Sequence, residues 1–181
     1  MVFYNDILFT KEECNDIKEM VTEWNQAGFE IEDNTGRRKI YNPSKRKSCI
    51  FEMHFWKGNF VYQKVNGILN SIGYELNCNS IFASILKYES GDFLYRHHDR
   101  DGDRFVCISV QLSESDDYTG GNFIYYLNNE SILASREMGN TIMFNPDLNH
   151  EVSTLLNGER QCLIVWITLH DLKQIKKSSI I

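Results

Sequence analysis

The stretch YRHHDRDGDR, residues 95–104, places two histidines and three aspartates among three arginines. His97 and Asp99 are two residues apart, so in an extended segment their side chains project to the same side while His98 points away. An imidazole and a carboxylate on one side are two of the ligands that a transition metal accepts. A solvated polar loop is the alternative interpretation, and the metal site requires a third ligand from elsewhere in the chain.

A histidine on another strand is the best candidate for that ligand. His150 lies in the strand-like segment LNHEVSTLL, and Arg160 follows it ten residues later. His54 precedes a predicted helix, and His170 lies near the C-terminus. Two histidines and one carboxylate on one face of a metal leave open coordination positions, an arrangement typical of non-heme Fe(II) oxygenases. Arg160 would then hold the far end of an acid that chelates the iron.

The second half of the chain reads as short strands separated by turns, with no helix between them. Such a series favours a sandwich or barrel of mainly antiparallel pairs. The predicted strands are 80–88, 104–113, 121–127, 130–136, 140–145, 148–155 and 160–169.

Alternation along two of these strands predicts a polar interior. In RFVCISVQL one face is uniformly apolar, whereas the other carries Ser109 and Gln111. In RQCLIVWITL, Arg160 and Thr168 share a face with Trp166. An arginine that points into a barrel is costly unless an anion meets it. The pattern therefore predicts an anionic ligand inside.

The first third of the chain is predicted to be helical. Thr10 and Glu13 form a capping box ahead of an amphipathic segment, and a second helix is expected over 59–72, ended by Gly73. Between them RRKIYNPSKRK, residues 37–47, holds six basic residues in eleven. A solvated loop is one interpretation of this segment. The other is a lid that closes over bound substrate.

Composition restricts the class of protein. The 181 residues, with a net charge of −6, suit one globular domain and give no overall basic footprint for nucleic acid or an anionic membrane. The five cysteines are scattered, which argues against a disulfide framework or a zinc ribbon. The first residues do not show the basic stretch followed by an apolar stretch that is typical of a signal peptide, and no run of about eighteen apolar residues occurs. We expect an intracellular protein, in the cytoplasm, that contacts no membrane.

The chain resembles the 2-oxoglutarate- and Fe(II)-dependent dioxygenases, in particular the prolyl 4-hydroxylase-like group and its bacterial and phage PKHD-type hydroxylases. The resemblance is carried by LKYESGDFLYRHHD, then RFVCISVQLSESDDYTGGNFI, then GNTIMFNPDLNHEVSTLLNGERQCLIVWI, over about residues 80–169. It implies a mainly β protein with flanking helices, built on a double-stranded β-helix (jelly-roll) barrel. The expected organisation is a single domain, residues 1–181, with helical support and a lid region (1–79), the catalytic core (80–169) and a C-terminal tail (170–181).

The resemblance also implies roles for individual residues. The iron ligands are His97, Asp99 and His150, and Arg160 pairs with the distal carboxylate of 2-oxoglutarate. Tyr88, Gln111 and Trp166 are expected to line the cosubstrate pocket, although Tyr88 and Trp166 are also compatible with plain core aromatics. Some relatives carry a tyrosine at the position of Gln111, which leaves the second donor to the carboxylate open.

The expected reaction uses Fe(II), 2-oxoglutarate and O2, with ascorbate as an accessory reductant. It hydroxylates a C–H bond, foremost in a prolyl residue of a protein or peptide, and releases succinate and CO2. Two alternatives remain open. One is a related oxygenase that acts on a nucleic-acid base or small metabolite, and the other is a barrel that only binds its ligand.

Overall fold

Two antiparallel sheets dominate the fold. The computed structural model describes residues 1–33, 36–100 and 102–175. The N-terminal elements are β1 (Val2–Ile7), α1 (Lys11–Glu19), β2 (Asn25–Gln26), β3 (Phe29–Asp33), β4 (Gly36–Ile40), β5 (Arg46–Lys47), β6 (Cys49–Trp56), α2 (Phe60–Ser71) and β7 (Tyr74–Leu76). The later elements are β8 (Ser80–Tyr88), β9 (Phe93–His97), β10 (Arg104–Gln111), β11 (Tyr118–Gly120), β12 (Phe123–Leu127), β13 (Glu130–Leu133), β14 (Asn140–Phe144), β15 (His150–Val152), β16 (Leu155–Gly158), β17 (Arg160–Thr168), a 3-10 turn (Leu169–Asp171) and β18 (Leu172–Gln174).

The larger sheet has seven strands in the order β1-β14-β10-β17-β8-β6-β2, and the smaller has five in the order β13-β12-β15-β9-β5. The short strands β11 and β16 pair with each other, as do β3 with β4 and β7 with β18. The predicted mainly β fold is therefore confirmed. Strands β8 and β17, which lie side by side in the larger sheet, agree closely with the predicted boundaries.

The two helices cover the outer face of the larger sheet. Thr10 caps α1 as predicted: its hydroxyl accepts from the N–H of Glu13 at 3.2 Å, and its own N–H donates to the Glu13 carboxylate at 2.7 Å. The apolar faces of α1, α2, β8, β10 and β17 pack together as one core. No helix in the described parts of the chain is long and apolar enough to cross a membrane.

A second core lies between the two sheets, on the face of β10 and β17 that was predicted to look inward. Cys107 and Cys162 belong to it, together with Phe123 and Phe144. The alternation of β10 thus separates a dry outer layer from an inner layer that includes polar groups. Ser109 and Gln111 are both buried there.

The prediction of a helical first third was incomplete. Both helices exist, but β1 and β6 extend the larger sheet through pairing with β14 and β8. Residues 37–47 are not a continuous loop either, because β4 forms a hairpin with β3, and β5 pairs with β9. The pairing partners of these strands lie far along the chain or have mixed composition, so local periodicity did not reveal them.

Candidate metal centre and cosubstrate pocket

His97 and His150 are brought together by strand pairing. His97 ends β9 and His150 begins β15, and the two are Cα partners in the smaller sheet. Cross-strand partners in an antiparallel ladder project from the same face. Their ring centroids are 4.3 Å apart. Strand pairing therefore brings two rings that are 53 residues apart in sequence into direct contact.

Asp99 completes the cluster just after β9 ends. Its N–H donates to the carbonyl of Pro146 at 2.9 Å, which fixes the chain where it turns away from the strand. Asp99 Oδ1 lies 3.4 Å from Nε2 of His97, and Oδ2 lies 3.9 Å from Nε2 of His150. The three ligand atoms all lie within 4.8 Å of one another. Two imidazole nitrogens and a carboxylate therefore face one point.

Each of these side chains is oriented by a further contact. Nδ1 of His97 lies 2.9 Å from the carbonyl of Tyr95, and Nδ1 of His150 lies 2.9 Å from that of Leu148. Because a carbonyl only accepts, these contacts place the ring protons on Nδ1 and leave the Nε2 lone pairs directed at Asp99. Lone pairs that face a carboxylate repel it unless a cation lies between them. The donor set thus fits a divalent transition metal.

Protonation states agree with this assignment. Burial lowers the pKa of His150 to about 4, so its imidazole is neutral at neutral pH. Burial alone would raise the pKa of Asp99, but the neighbouring side chains of His97, His150 and Trp166 together hold that pKa well below its usual range. A neutral imidazole beside an ionised carboxylate is what metal coordination requires.

Arg160 lies deeper in the barrel, at the start of β17, and is only 2% exposed. Its Nε donates to Oε1 of Gln111 at 3.1 Å, and Nη1 lies 3.6 Å from Sγ of Cys162. The amide nitrogen of Gln111 donates in turn to the carbonyl of Ser113 and to the hydroxyl of Tyr118, each at 3.0 Å. Gln111 therefore orients the guanidinium, and its own N–H groups are already used.

Tyr88 has an unsatisfied hydroxyl near Arg160. Its side chain is fully buried. The centre of its ring lies 5.6 Å from Cζ of Arg160. The hydroxyl lies near Ser48 but has no partner with hydrogen-bond geometry among the described residues. Burial raises the pKa of Tyr88, so the hydroxyl stays protonated and can donate. A buried guanidinium beside an unsatisfied hydroxyl suits an incoming carboxylate.

Two cavities with shared lining residues reach the candidate metal ligands. The inner one is narrow, about 40 Å³, and its wall joins Tyr88 to the metal cluster. The remaining lining residues of the inner cavity are Arg46, Leu86, Leu94, Ser109, Phe123, Phe144, Val152, Cys162, Ile164 and Trp166. The outer cavity is about 290 Å³ and shares His97, Asp99, Arg46 and Trp166 with the inner one. The candidate metal ligands thus line both a small, buried cavity and a larger one nearer the surface.

The double glycine in the stretch DDYTGGNFI lets the chain pass close to this region. Gly120 has φ +70°, and a Cβ there would lie 2.3 Å from the carbonyl oxygen of Thr154. A Cβ on Gly121, at φ +58°, would lie 2.8 Å from Leu155 and 3.5 Å from the side chain of Arg160. Only glycine permits both the left-handed backbone and this close approach.

The structure places all seven predicted site residues around one interior, in different roles. Trp166 lines the inner cavity and also contacts a candidate metal ligand, because its Nε1 donates to Oδ2 of Asp99 at 3.1 Å. Sequence reasoning missed Tyr118 as a member of the Arg160 network, although it stands beside the double glycine. It also missed Arg46, which lines both cavities and was seen only as part of a charged segment.

Comparison with known proteins shows what this chain is similar to. Residues 83–168 match the family model of the 2OG-Fe(II) oxygenase superfamily. A curated relative, an uncharacterized protein of fowlpox virus, is 23% identical over 180 residues, which is 98% of this chain. The chain spans only 39% of that relative's length.

Solved structures of prolyl hydroxylases share the fold. A prolyl-4-hydroxylase from Pseudomonas putida matches with a TM-score of 0.69 at 20% identity over 90% of each chain. The viral collagen prolyl hydroxylase of Paramecium bursaria chlorella virus 1, in complex with 2-oxoglutarate, gives 0.58 at 18% identity, covering 89% of this chain and 92% of that one. A prolyl hydroxylase from Trichoplax adhaerens, in complex with a hypoxia-inducible-factor peptide, gives 0.60 at 13% identity, covering 93% and 83%.

These matches confirm the predicted resemblance to prolyl-4-hydroxylase-like 2-oxoglutarate and Fe(II)-dependent oxygenases. They also confirm the predicted double-stranded β-helix, the jelly-roll fold of these neighbours. The superfamily implies Fe(II), 2-oxoglutarate and O2 as reactants, and the cluster of His97, Asp99 and His150 could hold the metal. Bacterial and viral proteins are both among the proteins to which this chain is similar.

Proposed function

We propose that this protein is a 2-oxoglutarate- and Fe(II)-dependent hydroxylase of prolyl residues in a protein or peptide. The observation that carries the proposal is the position of the metal cluster between the inner cavity, beside the unsatisfied hydroxyl of Tyr88, and an open outer mouth. On this proposal the cosubstrate acid binds on the inner side and a macromolecular substrate on the outer side.

On this proposal, one group of residues binds the metal and another binds the cosubstrate. His97, Asp99 and His150 would hold iron, which when bound with 2-oxoglutarate and O2 supplies the oxidant for C–H hydroxylation, with succinate and CO2 as coproducts. Arg160, held by Gln111, would pair with the distal carboxylate, and Tyr88 would donate a second hydrogen bond to it. The apolar lining of the inner cavity would exclude water from the cosubstrate.

A peptide substrate is supported by the shape of the mouth and by the structural neighbours. The outer cavity is open to solvent, so a chain could lie across it. Two of the neighbours are described as acting on collagen or as bound to a peptide fragment. We extend this substrate class to the present chain, with proline as the hydroxylated residue.

The basic segment 37–47 is proposed to act as a lid. Lys39 of the hairpin pairs with Glu52 at 2.9 Å, and Arg46 donates through Nη1 to the carbonyl of Gly28 at 3.2 Å. Lys39, Arg46 and Gly28 all line the outer mouth. Surface ion pairs of this kind contribute about 1 kcal/mol or less, so they allow the hairpin to rearrange when a substrate enters.

The decisive experiment is mass spectrometry of candidate peptides after incubation with Fe(II), ascorbate and 2-oxoglutarate. A gain of one oxygen on proline, with one succinate formed for each hydroxylation, would support the proposal. Succinate formation without oxygen on any peptide would show an oxygenase with a different substrate. Limited proteolysis tests the lid separately: cleavage within 37–47 should be slowed by true substrate but not by 2-oxoglutarate alone, and equal protection in all states would rule the lid out.

A further inference from the structure

Cys162 separates the guanidinium of Arg160 from the inner cavity. Both residues lie on β17, two positions apart, so their side chains project from the same face of the strand. Cys162 lines the inner cavity, whereas Arg160 is absent from its wall. Nη1 of Arg160 is instead directed at Sγ of Cys162, 3.6 Å away. The group that is expected to bind an acid is therefore covered by a thiol.

Another part of the guanidinium is held from the neighbouring strand. Gln111 on β10 is the Cα partner of Cys162, and its Oε1 accepts from Nε of Arg160 at 3.1 Å. The amide of Gln111 is itself fixed by its bonds to Ser113 and Tyr118. Sulfur is a weak acceptor, so the contact of Nη1 with the thiol is the weaker of the two. Of these two donors, Nη1 is therefore the one that an entering acid can take more easily.

The volume of the inner cavity requires a group in its wall to move when an acid binds. At about 40 Å³ the cavity holds only about three water molecules. A five-carbon dicarboxylic acid needs more space, even when its 2-oxo end extends towards the metal ligands. Ser109 and Cys162 are the small side chains in the wall, and Cys162 is the one that contacts Arg160. Rotation about χ1 moves the thiol without displacing a strand.

From these observations we infer that Cys162 is the gate to the carboxylate site and determines which 2-oxo acids the protein accepts. In the ligand-free protein the thiol occupies Nη1 of Arg160. On binding, the thiol turns about χ1 and yields Nη1 to the distal carboxylate of the cosubstrate. A charge-assisted bond to a carboxylate is roughly twice as strong as a neutral one, so the exchange is favourable. This inference rests on the proposed function and adds a residue that sets cosubstrate specificity.

Two substitutions of Cys162 should change cosubstrate affinity in opposite directions. Cys162→Ala removes the group that competes for Nη1 and widens the cavity, so 2-oxoglutarate should bind about two- to tenfold more tightly. Cys162→Val places two methyl groups on a stiff χ1, so rotation cannot clear both from the space before the guanidinium. The valine variant should bind about tenfold more weakly, or worse, because the pocket is overpacked. Calorimetric titration with Mn(II) present measures each dissociation constant.

The acid that is one methylene longer, 2-oxoadipate, tests the specificity. An extra methylene in a closed pocket changes discrimination by about 10- to 200-fold, so the wild-type protein should bind 2-oxoadipate at least about tenfold more weakly than 2-oxoglutarate. The space vacated in Cys162→Ala should narrow this difference severalfold. Equal ratios of the two dissociation constants in wild type and Cys162→Ala would show that the thiol does not set the length of the acid.

Two comparisons separate a local effect from a general loss of packing. Val165→Ala shortens another fully buried side chain of β17, on the opposite face and in the outer core, and should leave both dissociation constants unchanged. In an Arg160→Ala background, Cys162→Ala should no longer tighten binding, because there is no Nη1 to release. Thermal unfolding checks that each variant is folded. If Cys162→Val does not fold, Cys162→Ala alone decides the outcome.

The thiol itself provides a readout that is independent of affinity. The infrared S–H stretching band of Cys162 is identified by its loss in Cys162→Ala. This band should shift when 2-oxoglutarate is added with Mn(II), because Sγ loses its contact with Nη1 of Arg160. An unshifted band, or an affinity of Cys162→Ala equal to or weaker than that of wild type, would overturn the inference while the proposed hydroxylase stands. Wild-type protein that binds no 2-oxoglutarate with Mn(II) present would overturn both.

Discussion

The indole Nε1 of Trp166 donates a hydrogen bond of 3.1 Å to Oδ2 of Asp99 and thereby joins the two sheets at the candidate metal centre. Trp166 lies on β17 of the larger sheet, whereas Asp99 follows β9 of the smaller one. The carboxylate is also tied to the smaller sheet through its backbone N–H. The orientation of the predicted metal ligand thus depends on how the two sheets pack.

Replacing the indole donor should weaken metal binding without unfolding the protein. Trp166→Phe keeps a ring that can stack on Phe82 but removes the hydrogen bond to Asp99. Loss of such an outer contact typically costs about 10- to 100-fold in metal affinity. Titration with Mn(II) or Fe(II) measures the change, and Trp24→Phe, at a position that lines neither cavity, is the matched control. Equal affinity in both variants would show that the indole does not position Asp99.

Removal of a predicted ligand should abolish both metal binding and cosubstrate turnover. We expect His150→Ala to bind no stoichiometric Fe(II) and to form no succinate, because the remaining pair of ligands cannot hold the ion. His170→Ala, whose side chain is 87% exposed, should behave like the wild type. Metal content and succinate are measured together with circular dichroism. Undiminished succinate from a folded His150→Ala would refute the ligand assignment.

Arg160 should govern affinity for 2-oxoglutarate. Loss of two charge-assisted hydrogen bonds in Arg160→Ala should weaken binding by roughly 2 to 4 kcal/mol, which is on the order of 30- to 1,000-fold. Arg160→Lys should recover little, because lysine lacks the planar fork and the Nε–H group that donates to Gln111. Calorimetric titration with 2-oxoglutarate, with Mn(II) present, gives the dissociation constant of each variant. If the dissociation constant of Arg160→Ala is unchanged, another residue holds the acid.

Tyr88 should show opposite effects on stability and binding. Tyr88→Phe removes a buried hydroxyl that has no hydrogen-bond partner within the described ranges, so the ligand-free protein should be more stable by about 1 kcal/mol. The same change should weaken 2-oxoglutarate binding by about 1.5 kcal/mol or more.

Tyr62→Phe is the matched control for that comparison. Its buried hydroxyl donates to the carbonyl of Cys78 at 2.7 Å, so the substitution should destabilise the protein and leave 2-oxoglutarate binding unchanged. Urea unfolding and calorimetry report the two quantities. A Tyr88→Phe variant that is less stable and binds normally would assign Tyr88 to the core alone.

The metal-free protein should lose stability on mild acidification. Burial lowers the pKa of His150 to about 4, below the value near 6.5 in the unfolded chain, so the unfolded state binds more protons between these limits. The free energy of unfolding should therefore fall as the pH decreases from about 6.5 to about 4, by at most about 3 kcal/mol. Urea unfolding across this range, compared with His150→Gln, isolates the contribution. If the free energy of unfolding changed equally with pH in both proteins, His150 would not be the source of the acid sensitivity.

Local signals in the sequence determined a large part of the fold. The capping box of Thr10 and Glu13 begins α1, and the period-two pattern of β10 assigns Val106 to the outer core and Ser109 to the interior. Both depend on neighbours within a few residues, so composition and spacing are sufficient to predict them. The spacing of His97 and Asp99 likewise follows from strand geometry.

What the sequence left open depends on contacts between distant segments. It placed Gln111 in the cosubstrate pocket and left the second donor to the carboxylate open. The amide of Gln111 is already bonded to Ser113 and Tyr118, whereas the hydroxyl of Tyr88 is unsatisfied. Strands β1, β5 and β6 were missed because sheet pairing links residues far apart, which local periodicity does not record.

The sequence by itself therefore determined which chemistry the chain can do, since residue types and their alternation fix the available ligands and the polar face. The tertiary structure decided which donors remain free and which rings line the mouth. The ring of Phe82 reaches Trp166 only because β8 and β17 pair across a separation of about 80 residues. Hydrogen-bond saturation and cross-strand contact are properties of the packed sheets, and no stretch of sequence carries them alone.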